Sequence, residues 1–209
     1  MPTMRLTVLG DSFVEGRGDP DPDGGFRAWA PLLAESLGVR AERWRNLGAY
    51  RATTQDVVDR QLPRAVADQA PVVGVVVGTN DVVSDWSAPR FAANLDMIFG
   101  ALAGPGTVVF TAGYPDMPSR LPVPERFRDL LRGRFGEANA VLAATARRHG
   151  VAVLDLARCP HWAADEVWSA DGLHPNAAGH RRFAAAAAAV LSDDGWGAAA
   201  LPAALPAAA

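Results

Sequence analysis

The stretch Leu6-Thr7-Val8-Leu9-Gly10-Asp11-Ser12 lies near the amino terminus, where an apolar, β-branched run leads directly into a polar turn. The run has the length and composition of a buried strand, and Ser12 falls just beyond its carboxyl end. In open parallel sheets, ligands bind outside the carboxyl ends of the strands. The stretch therefore predicts a strand that presents a serine at the functional edge of a sheet.

Further strand-like runs alternate with helix-like segments, which indicates an α/β domain with a parallel sheet. The predicted strands cover residues 6–9, 43–47, 72–77, 107–111 and 152–154. The predicted helices cover residues 26–37, 54–67, 89–102, 124–149 in one or two pieces, and 176–191. The third strand is an uninterrupted apolar run typical of a strand buried on both faces, so we expect it at the centre of the sheet.

Composition limits the range of functions. The chain has 209 residues, 49% of them hydrophobic, which predicts a single domain over residues 1–196. Residues 197–209 form an Ala/Pro-rich tail that cannot build a core of its own and is expected to be flexible. A net charge of −3 without a cluster of cations argues against nucleic-acid binding. No apolar run is long enough to span a membrane. The chain starts without the features of a secretory leader, so we expect a cytoplasmic protein.

Metal and disulfide chemistry are not indicated. The single cysteine, Cys159, cannot form an intrachain disulfide and is expected to be a structural thiol. Asp19, Asp21 and Asp23 are spaced like the start of a calcium loop, but the twelfth position of that pattern is Ala30 instead of glutamate. We therefore predict no metal and no cofactor. The oligomeric state stays open, because no heptad or symmetric apolar face is recognisable.

A second polar motif, Asp171-Gly172-Leu173-His174, lies near the carboxyl end. A serine nucleophile needs an imidazole to take its proton, and the imidazole needs a carboxylate that fixes its tautomer and stabilises its charge. Asp171 and His174 are three residues apart, so one loop can present both to Ser12. Asn46-Leu47-Gly48 and Gly78-Thr79-Asn80-Asp81 follow two further strands. The four segments are predicted to converge on one edge of the sheet as a serine hydrolase site.

In their order and spacing, these segments resemble the motif blocks of the SGNH, or GDSL-type, hydrolase family of lipases, acylhydrolases and esterases. The resemblance implies a three-layer α/β/α sandwich on a flavodoxin-like, five-stranded parallel sheet of order 2-1-3-4-5. It also implies that Ser12 is the nucleophile, His174 the general base and acid, and Asp171 the carboxylate that orients it. The Gly-x-Ser-x-Gly elbow of the unrelated α/β-hydrolase fold is absent around Ser12.

The resemblance further implies an oxyanion hole made by the Ser12 N–H, the Asn80 side chain and an N–H from the second block. Family members usually have Asn-x-x-x-x-Gly there, but the sixth position from Asn46 is Arg51, and the glycine is displaced to Gly48. Arg51 donates in place of the glycine, or Gly48 donates through a shifted loop, or the hole is weakened. We favour Arg51, although a side chain is strained wherever the loop needs a positive φ. Its guanidinium would then lie near the mouth of the site, within reach of an anionic substrate group.

Other residues near the predicted strand ends have less specific roles. The candidates for a substrate pocket are Asp11, Trp86, Tyr114, Trp162 and Trp168. The Pro- and Gly-rich loops at residues 17–25 and 113–124 are expected to rim the site. Asn80 or Asp81 is placed to cap the helix after the third strand. His149, His161 and His180 have no motif around them and are expected at the surface or at helix ends.

Taken together, the motifs predict a serine hydrolase that cleaves the carboxylic ester of a small molecule through a covalent acyl-enzyme. An acyltransferase, in which an alcohol or amine intercepts the same acyl-enzyme, is an alternative that the sequence does not distinguish. A non-catalytic binding module is a third interpretation, which Arg51 favours and the intact Ser12, Asn80, Asp171 and His174 oppose. The identity of the ester does not follow from the fold.

Overall fold

The computed structural model describes residues 4–192, so the predicted tail at residues 197–209 lies outside the described part of the chain. Its five strands are β1 (Leu6–Gly10), β2 (Trp44–Asn46), β3 (Val72–Val76), β4 (Val108–Ala112) and β5 (Ala152–Leu154). They form one sheet of order β2-β1-β3-β4-β5, in which every neighbouring pair is parallel. The predicted fold class and strand order are confirmed.

Within residues 4–192, eight α-helices cover the sheet, and all but the last lie in the connections between strands. They are α1 (Ser12–Glu15), α2 (Trp29–Ser36), α3 (Thr54–Asp56), α4 (Leu62–Asp68), α5 (Thr79–Val83), α6 (Ala88–Leu102), α7 (Glu125–His149) and α8 (Ala177–Leu191). A π-helical segment, Val57–Gln61, joins α3 to α4. Helix α2 packs on α8, while α6 packs on α4 and α7. Parallel strands need crossover connections, and these helices provide them on both faces of the sheet.

The core lies on both sides of β1 and β3, whose residues are all buried. On one side, the ring of Trp29 lies 5.9 Å from that of Phe110 and 4.8 Å from that of Phe183. A β-carbon on Gly74 would lie 2.6 Å from the Phe110 ring, so the glycine in β3 makes room for this aromatic side chain.

Most predicted elements are present, with shifts of a few residues at their ends. Residues 125–149 form a single helix, which decides between the one-piece and two-piece predictions. Helix α8 begins at Ala177, one residue after the predicted start, because Asn176 is its N-cap and accepts hydrogen bonds from the N–H groups of Ala178 and Gly179. Helix α1 was not predicted, since four residues are too few to show a helical period, and α5 was predicted without bounds, as the helix after the third strand that Asn80 or Asp81 would cap.

His180 corrects one expectation. It lies on the inner face of α8 and is fully buried, whereas we expected a surface or helix-end position. Its Nε2 is 3.1 Å from the carbonyl of Arg17, and its ring stacks on Phe13 at 5.5 Å. Burial lowers the pKa of His180, so the ring is neutral and belongs to the packing beneath Ser12. His149 ends α7, and His161 is exposed, as predicted.

Across residues 4–192, no helix is both long enough and apolar enough to cross a membrane.

Candidate active site

The turn after β1 positions Ser12 at the carboxyl edge of the sheet. Ser12 is the first residue of α1, and the Asp11 side chain caps that helix by accepting a 2.9 Å hydrogen bond from the Phe13 N–H. Gly10 has a φ of +151°, and a β-carbon there would lie 1.9 Å from the carbonyl of Val76. Only glycine fits this sharp turn from β1 into α1.

Ser12, His174 and Asp171 form a continuous hydrogen-bonded chain. Ser12 Oγ lies 2.9 Å from His174 Nε2, and His174 Nδ1 lies 2.7 Å from Asp171 Oδ2. A carboxylate only accepts, so Nδ1 carries the proton and Nε2 is free to accept from the serine hydroxyl. The structure thus brings together three residues that are up to 162 positions apart in the sequence.

The other oxygen of Asp171 holds the loop that carries the histidine. Asp171 Oδ1 accepts from the Ser169 hydroxyl at 2.7 Å and from the N–H groups of Leu173 and His174, both at 2.9 Å. Burial raises the pKa of Asp171, but the hydrogen bonds from His174, Ser169 and Leu173 outweigh it and leave the pKa well below its usual range. The carboxylate is therefore ionised throughout the neutral range and able to stabilise an imidazolium.

The loop at residues 17–25 packs against the histidine loop. Gly18, with a φ of +98°, approaches so closely that a β-carbon would lie 2.0 Å from the carbonyl of Pro175. On the other side, the Ser169 N–H donates to the His174 carbonyl at 2.8 Å. These contacts fix the backbone of the loop that carries His174.

The loop after β2 contains Arg51 in an unusual backbone conformation. Residues 49–52 form a turn closed by a 3.1 Å hydrogen bond from the Ala52 N–H to the Ala49 carbonyl. Arg51, the third residue of this turn, has a φ of +61°, a conformation for which glycine is preferred. The Ala49 N–H donates to the Gly10 carbonyl at 3.1 Å, which fixes this turn beside the turn that carries Ser12.

Gly48 and Arg51, the two candidates for the oxyanion N–H after β2, differ in their hydrogen bonding. The Gly48 N–H donates to Asn46 Oδ1 at 2.8 Å, and a β-carbon on Gly48 would lie 2.6 Å from the Glu15 nitrogen. Gly48 therefore serves close packing against α1, and its N–H is occupied. The N–H groups of Arg51 and Ser12 have no hydrogen-bond partner within residues 4–192. Of the two N–H groups considered in the second block, that of Arg51 is free.

Asn80 lies on α5 and faces the same turn. Its Nδ2 donates one hydrogen bond to the Ala52 carbonyl at 3.0 Å, which leaves the second amide proton available. The prediction that Asn80 or Asp81 caps this helix is wrong. Helix α5 begins at Thr79, with Gly78 in the N-cap position two residues before Asn80, so both side chains lie inside the helix.

Asp81 instead ties α5 to α3. Its carboxylate accepts from the Thr54 N–H at 2.9 Å and from the Thr54 hydroxyl at 2.5 Å. The Thr54 oxygen in turn accepts from Asn94 on α6 at 3.0 Å, and all three side chains are buried. Burial raises the pKa of Asp81, although the Thr54 hydrogen bonds oppose the rise.

Gln61 holds the backbone of Gly10, a role that the sequence did not predict. Its side chain accepts from the Gly10 N–H at 2.8 Å and donates to the Gly10 carbonyl at 2.9 Å. Gln61 ends the π-helical segment, which places its buried amide beside the turn from β1 into α1. A signal was present: Thr54, Gln61 and Asn94 are polar residues on otherwise apolar helix faces, and buried polar groups need partners.

Asp11 is buried behind the serine. Burial, together with the neighbouring Asp81 carboxylate, raises its pKa to about 7, against opposing backbone hydrogen bonds from Phe13 and Gly78. Tyr114 lies close by and donates its hydroxyl to the Val77 carbonyl at 2.6 Å. Burial and the two carboxylates raise the Tyr114 pKa well above its usual value, so the phenol stays protonated.

An apolar cleft of about 60 Å³ opens beside Ser12, at the ends of β3 and β4. Four of the predicted pocket residues line it: Asp11, Tyr114, Trp162 and Trp168. The loop at residues 113–124 contributes to its rim through Gly113, Tyr114, Pro115 and Met117. Trp86 does not line this cleft; its indole packs on Phe91 at 5.2 Å and donates to Glu137 at 2.8 Å.

Comparison with known proteins identifies the family. Residues 8–182 match the model of the GDSL-like lipase/acylhydrolase family. No curated protein matches the chain. Among solved structures, a lipase/acylhydrolase from Enterococcus faecalis is similar at a TM-score of 0.70 and 22% identity, over 91% of this chain and 97% of that one. An acetyl xylan esterase from Geobacillus stearothermophilus is similar at a TM-score of 0.68 and 17% identity, over 90% and 94%.

At these identities the solved structures support the fold, whereas the family model covers most of the chain, including the segments that carry Ser12, Asn80 and His174. The chain therefore belongs to the GDSL-like lipase/acylhydrolase family and is an esterase or acylhydrolase.

Proposed function

We propose that this enzyme hydrolyses a carboxylic ester through an acyl-enzyme on Ser12. The observation that carries the proposal is the hydrogen-bonded chain from Asp171 through His174 to Ser12. His174 Nε2 takes the hydroxyl proton as Ser12 Oγ attacks the ester carbonyl, and returns that proton to the departing alcohol. Water then attacks the acyl-enzyme with the same base, which releases the acid and restores the serine.

The proposed oxyanion hole consists of the Ser12 and Arg51 N–H groups and the free amide proton of Asn80. Two of these donors belong to residues with little freedom, because Asn80 is held by the Ala52 carbonyl and Arg51 lies in a closed turn. Donors fixed before the reaction need no reorganisation as charge develops on the carbonyl oxygen. Loss of one such donor costs about 10² to 10³ in rate.

The apolar cleft is the proposed site for the acyl group. It begins at the residues around Ser12 and is walled by aromatic and aliphatic side chains, including Trp162, Trp168 and Leu173. An apolar wall favours a hydrocarbon chain over an acetylated sugar, whose hydroxyl groups would need partners. We therefore expect an aliphatic ester of a small molecule as the substrate.

Hydrolysis of p-nitrophenyl esters from acetate to decanoate, by wild type and Ser12→Ala in parallel, tests the proposal. We expect Ser12-dependent turnover with a chain-length optimum set by the cleft. Equal turnover by Ser12→Ala would refute the mechanism. A fluorophosphonate should label Ser12 in wild type only, and absence of labelling would favour a binding module. A transfer product formed in added alcohol, at the expense of free acid, would indicate the acyltransferase alternative.

A further inference from the structure

A second cleft lies on the opposite side of Ser12 from the apolar cleft. It has a volume of about 410 Å³ and lies between the loop after β2 and the helix formed by α3, the π-helical segment and α4. Its lining includes Tyr50, Arg51, Asp56, Arg60, Gln61 and Arg64. In the strand order β2-β1-β3-β4-β5, Ser12 follows β1, so it separates this cleft beside β2 from the apolar cleft beside β3 and β4.

The charge of this cleft is unlike that of the chain as a whole. Three arginines and one carboxylate line it, although the complete chain carries a net charge of −3. Arg60 pairs with Asp56 at 3.6 Å. Asp56 is also occupied by Thr53, whose N–H and hydroxyl donate to it at 3.0 and 2.8 Å. Among the described residues, Arg51 and Arg64 form no ion pair, so two guanidinium groups face the cleft without an acidic partner.

The cleft shares its inner wall with the proposed oxyanion hole. Gln61, on that wall, makes two hydrogen bonds with Gly10, which lies two residues before Ser12. Ala49, at the start of the Arg51 turn, donates to the same glycine. Both walls are therefore fixed to the turn that carries the nucleophile. The cleft is therefore joined through Gln61 and Ala49 to the turn that carries Ser12.

The backbone conformation of Arg51 indicates independently that its side chain has a role in this cleft. A φ of +61° is strained for arginine, and glycine would adopt it freely. Strain at a single residue persists where the surrounding structure enforces it and often marks a functional position. The Arg51 side chain, present despite this strain, lines the cleft. Its guanidinium carbon lies 5.3 Å from the centre of the Tyr50 ring.

We propose that Arg51, Arg60 and Arg64 bind an anionic group, a phosphate or carboxylate, on the alcohol portion of the ester. The proposal rests on the proposed function, since it assigns the two sides of the scissile bond to two clefts. The apolar cleft takes the acyl chain, and the arginine cleft takes the charged leaving group. Guanidinium groups suit this task because they remain charged and donate several hydrogen bonds to oxyanions.

Two acetate esters of similar shape test the assignment: 4-acetoxyphenyl phosphate, which is anionic, and 4-acetoxybenzamide, which is neutral. The double variant Arg60→Gln/Arg64→Gln should lower kcat/KM for the anionic ester about tenfold more than for the neutral one. The control Arg40→Gln/Arg126→Gln removes the same charge from exposed positions outside the cleft and should leave the ratio of the two values at its wild-type level. Intrinsic differences in reactivity cancel when these ratios are compared.

Binding of 4-hydroxyphenyl phosphate to Ser12→Ala, measured by calorimetry, decides the proposal without turnover. We expect binding that weakens about tenfold when Arg60→Gln/Arg64→Gln is added and that also weakens with salt. Equal binding with and without those substitutions would overturn the anion site, even if neutral esters are hydrolysed. Failure of Ser12-dependent hydrolysis of both esters, together with Arg60- and Arg64-dependent binding, would overturn the proposed function and retain the anion site.

Discussion

Replacing Arg51 by glycine tests whether the backbone of the turn at residues 49–52 is strained at Arg51. Arg51 is the only non-glycine residue besides Gln69 with a positive φ among the described residues. A left-handed conformation costs an L-residue about 1–2 kcal/mol, and glycine avoids that cost. Glycine also gains freedom in the unfolded chain, which lowers native stability by about 0.5–1 kcal/mol.

Comparison with Arg51→Ala isolates this backbone contribution. Both substitutions remove the guanidinium and its contact with Tyr50, but only glycine relieves the strain at a φ of +61°. The strain relief exceeds the unfolded-state effect, so Arg51→Gly should be more stable than Arg51→Ala by about 1 kcal/mol. For a domain of this size, such a difference raises Tm by about 2–4 °C.

Urea and thermal unfolding of wild type and the two variants measure the difference. Both variants keep the backbone N–H that we assign to the oxyanion hole, so their esterase activities on a neutral ester should not differ by more than a few fold. Equal stability of the two variants, or a more stable alanine variant, would refute the strain argument. A much greater loss of activity in Arg51→Gly than in Arg51→Ala would show that the turn needs a side chain to hold its shape.

Three further substitutions test the surroundings of Ser12. Asp171→Asn should lower kcat about 10³- to 10⁴-fold in p-nitrophenyl acetate hydrolysis, because an amide stabilises the wrong tautomer of His174; an unchanged kcat would contradict the proposed role. Thr54→Val should cost about 1–3 kcal/mol in urea unfolding, because it leaves buried Asn94 without a partner and removes the hydroxyl bond to Asp81, which keeps only the Thr54 N–H, whereas Thr54→Ser should cost less than about 1 kcal/mol. Asp11→Asn tests the pKa of about 7 at Asp11, compared with an ordinary value of 3.8. The native state holds this proton more tightly than the unfolded chain, so Asp11 makes wild-type stability fall as pH rises from about 4 to about 7. The asparagine variant should lack that fall and gain on wild type above pH 7 in unfolding measured across this range; parallel profiles would contradict the burial argument.

The parallel sheet and its order were predictable because strand signals are local and the motif blocks supply the connectivity. β3 is an apolar run of one residue type and glycine, and its burial follows from that pattern alone. Helix α7 could not be assigned to one piece or two, since Gly133 and Gly136 weaken a helix by about 1 kcal/mol each. In the structure both glycines face open space, so packing elsewhere along the helix decides.

The parts of the site that could not be predicted are those set by contacts between distant segments. The Thr54 hydroxyl bonds to Asp81 and Asn94 only once α3, α5 and α6 have packed together. The burial of His180 likewise depends on the approach of Phe13, which comes from the other end of the chain. Sequence periodicity describes one element at a time, and it carries no information on such encounters.

The Asp171–His174 pair and the proposed oxyanion donors are held in place by different contacts. Substitutions that disturb one of them should therefore affect activity differently from substitutions that disturb the other. The histidine is positioned by its own loop, through Asp171 and its short-range hydrogen bonds. The oxyanion donors are positioned between loops, because Asn80 bonds to the Ala52 carbonyl and Asp81 bonds to Thr54. Weakening the bonds of Asn80 and Asp81 should displace the Asn80 donor without changing the environment of the His174 imidazole.

Thr54→Ser and Thr54→Val should therefore change kcat in proportion to the loss of the Asp81 bond, while the pH profile of kcat/KM keeps its wild-type midpoint. Asp171→Asn should shift that midpoint as well as lower kcat, because the carboxylate no longer stabilises the imidazolium. A shifted midpoint in Thr54→Val would show that the Asp171–His174 pair and the oxyanion donors are coupled, and the separation argued from their hydrogen bonds would then be wrong.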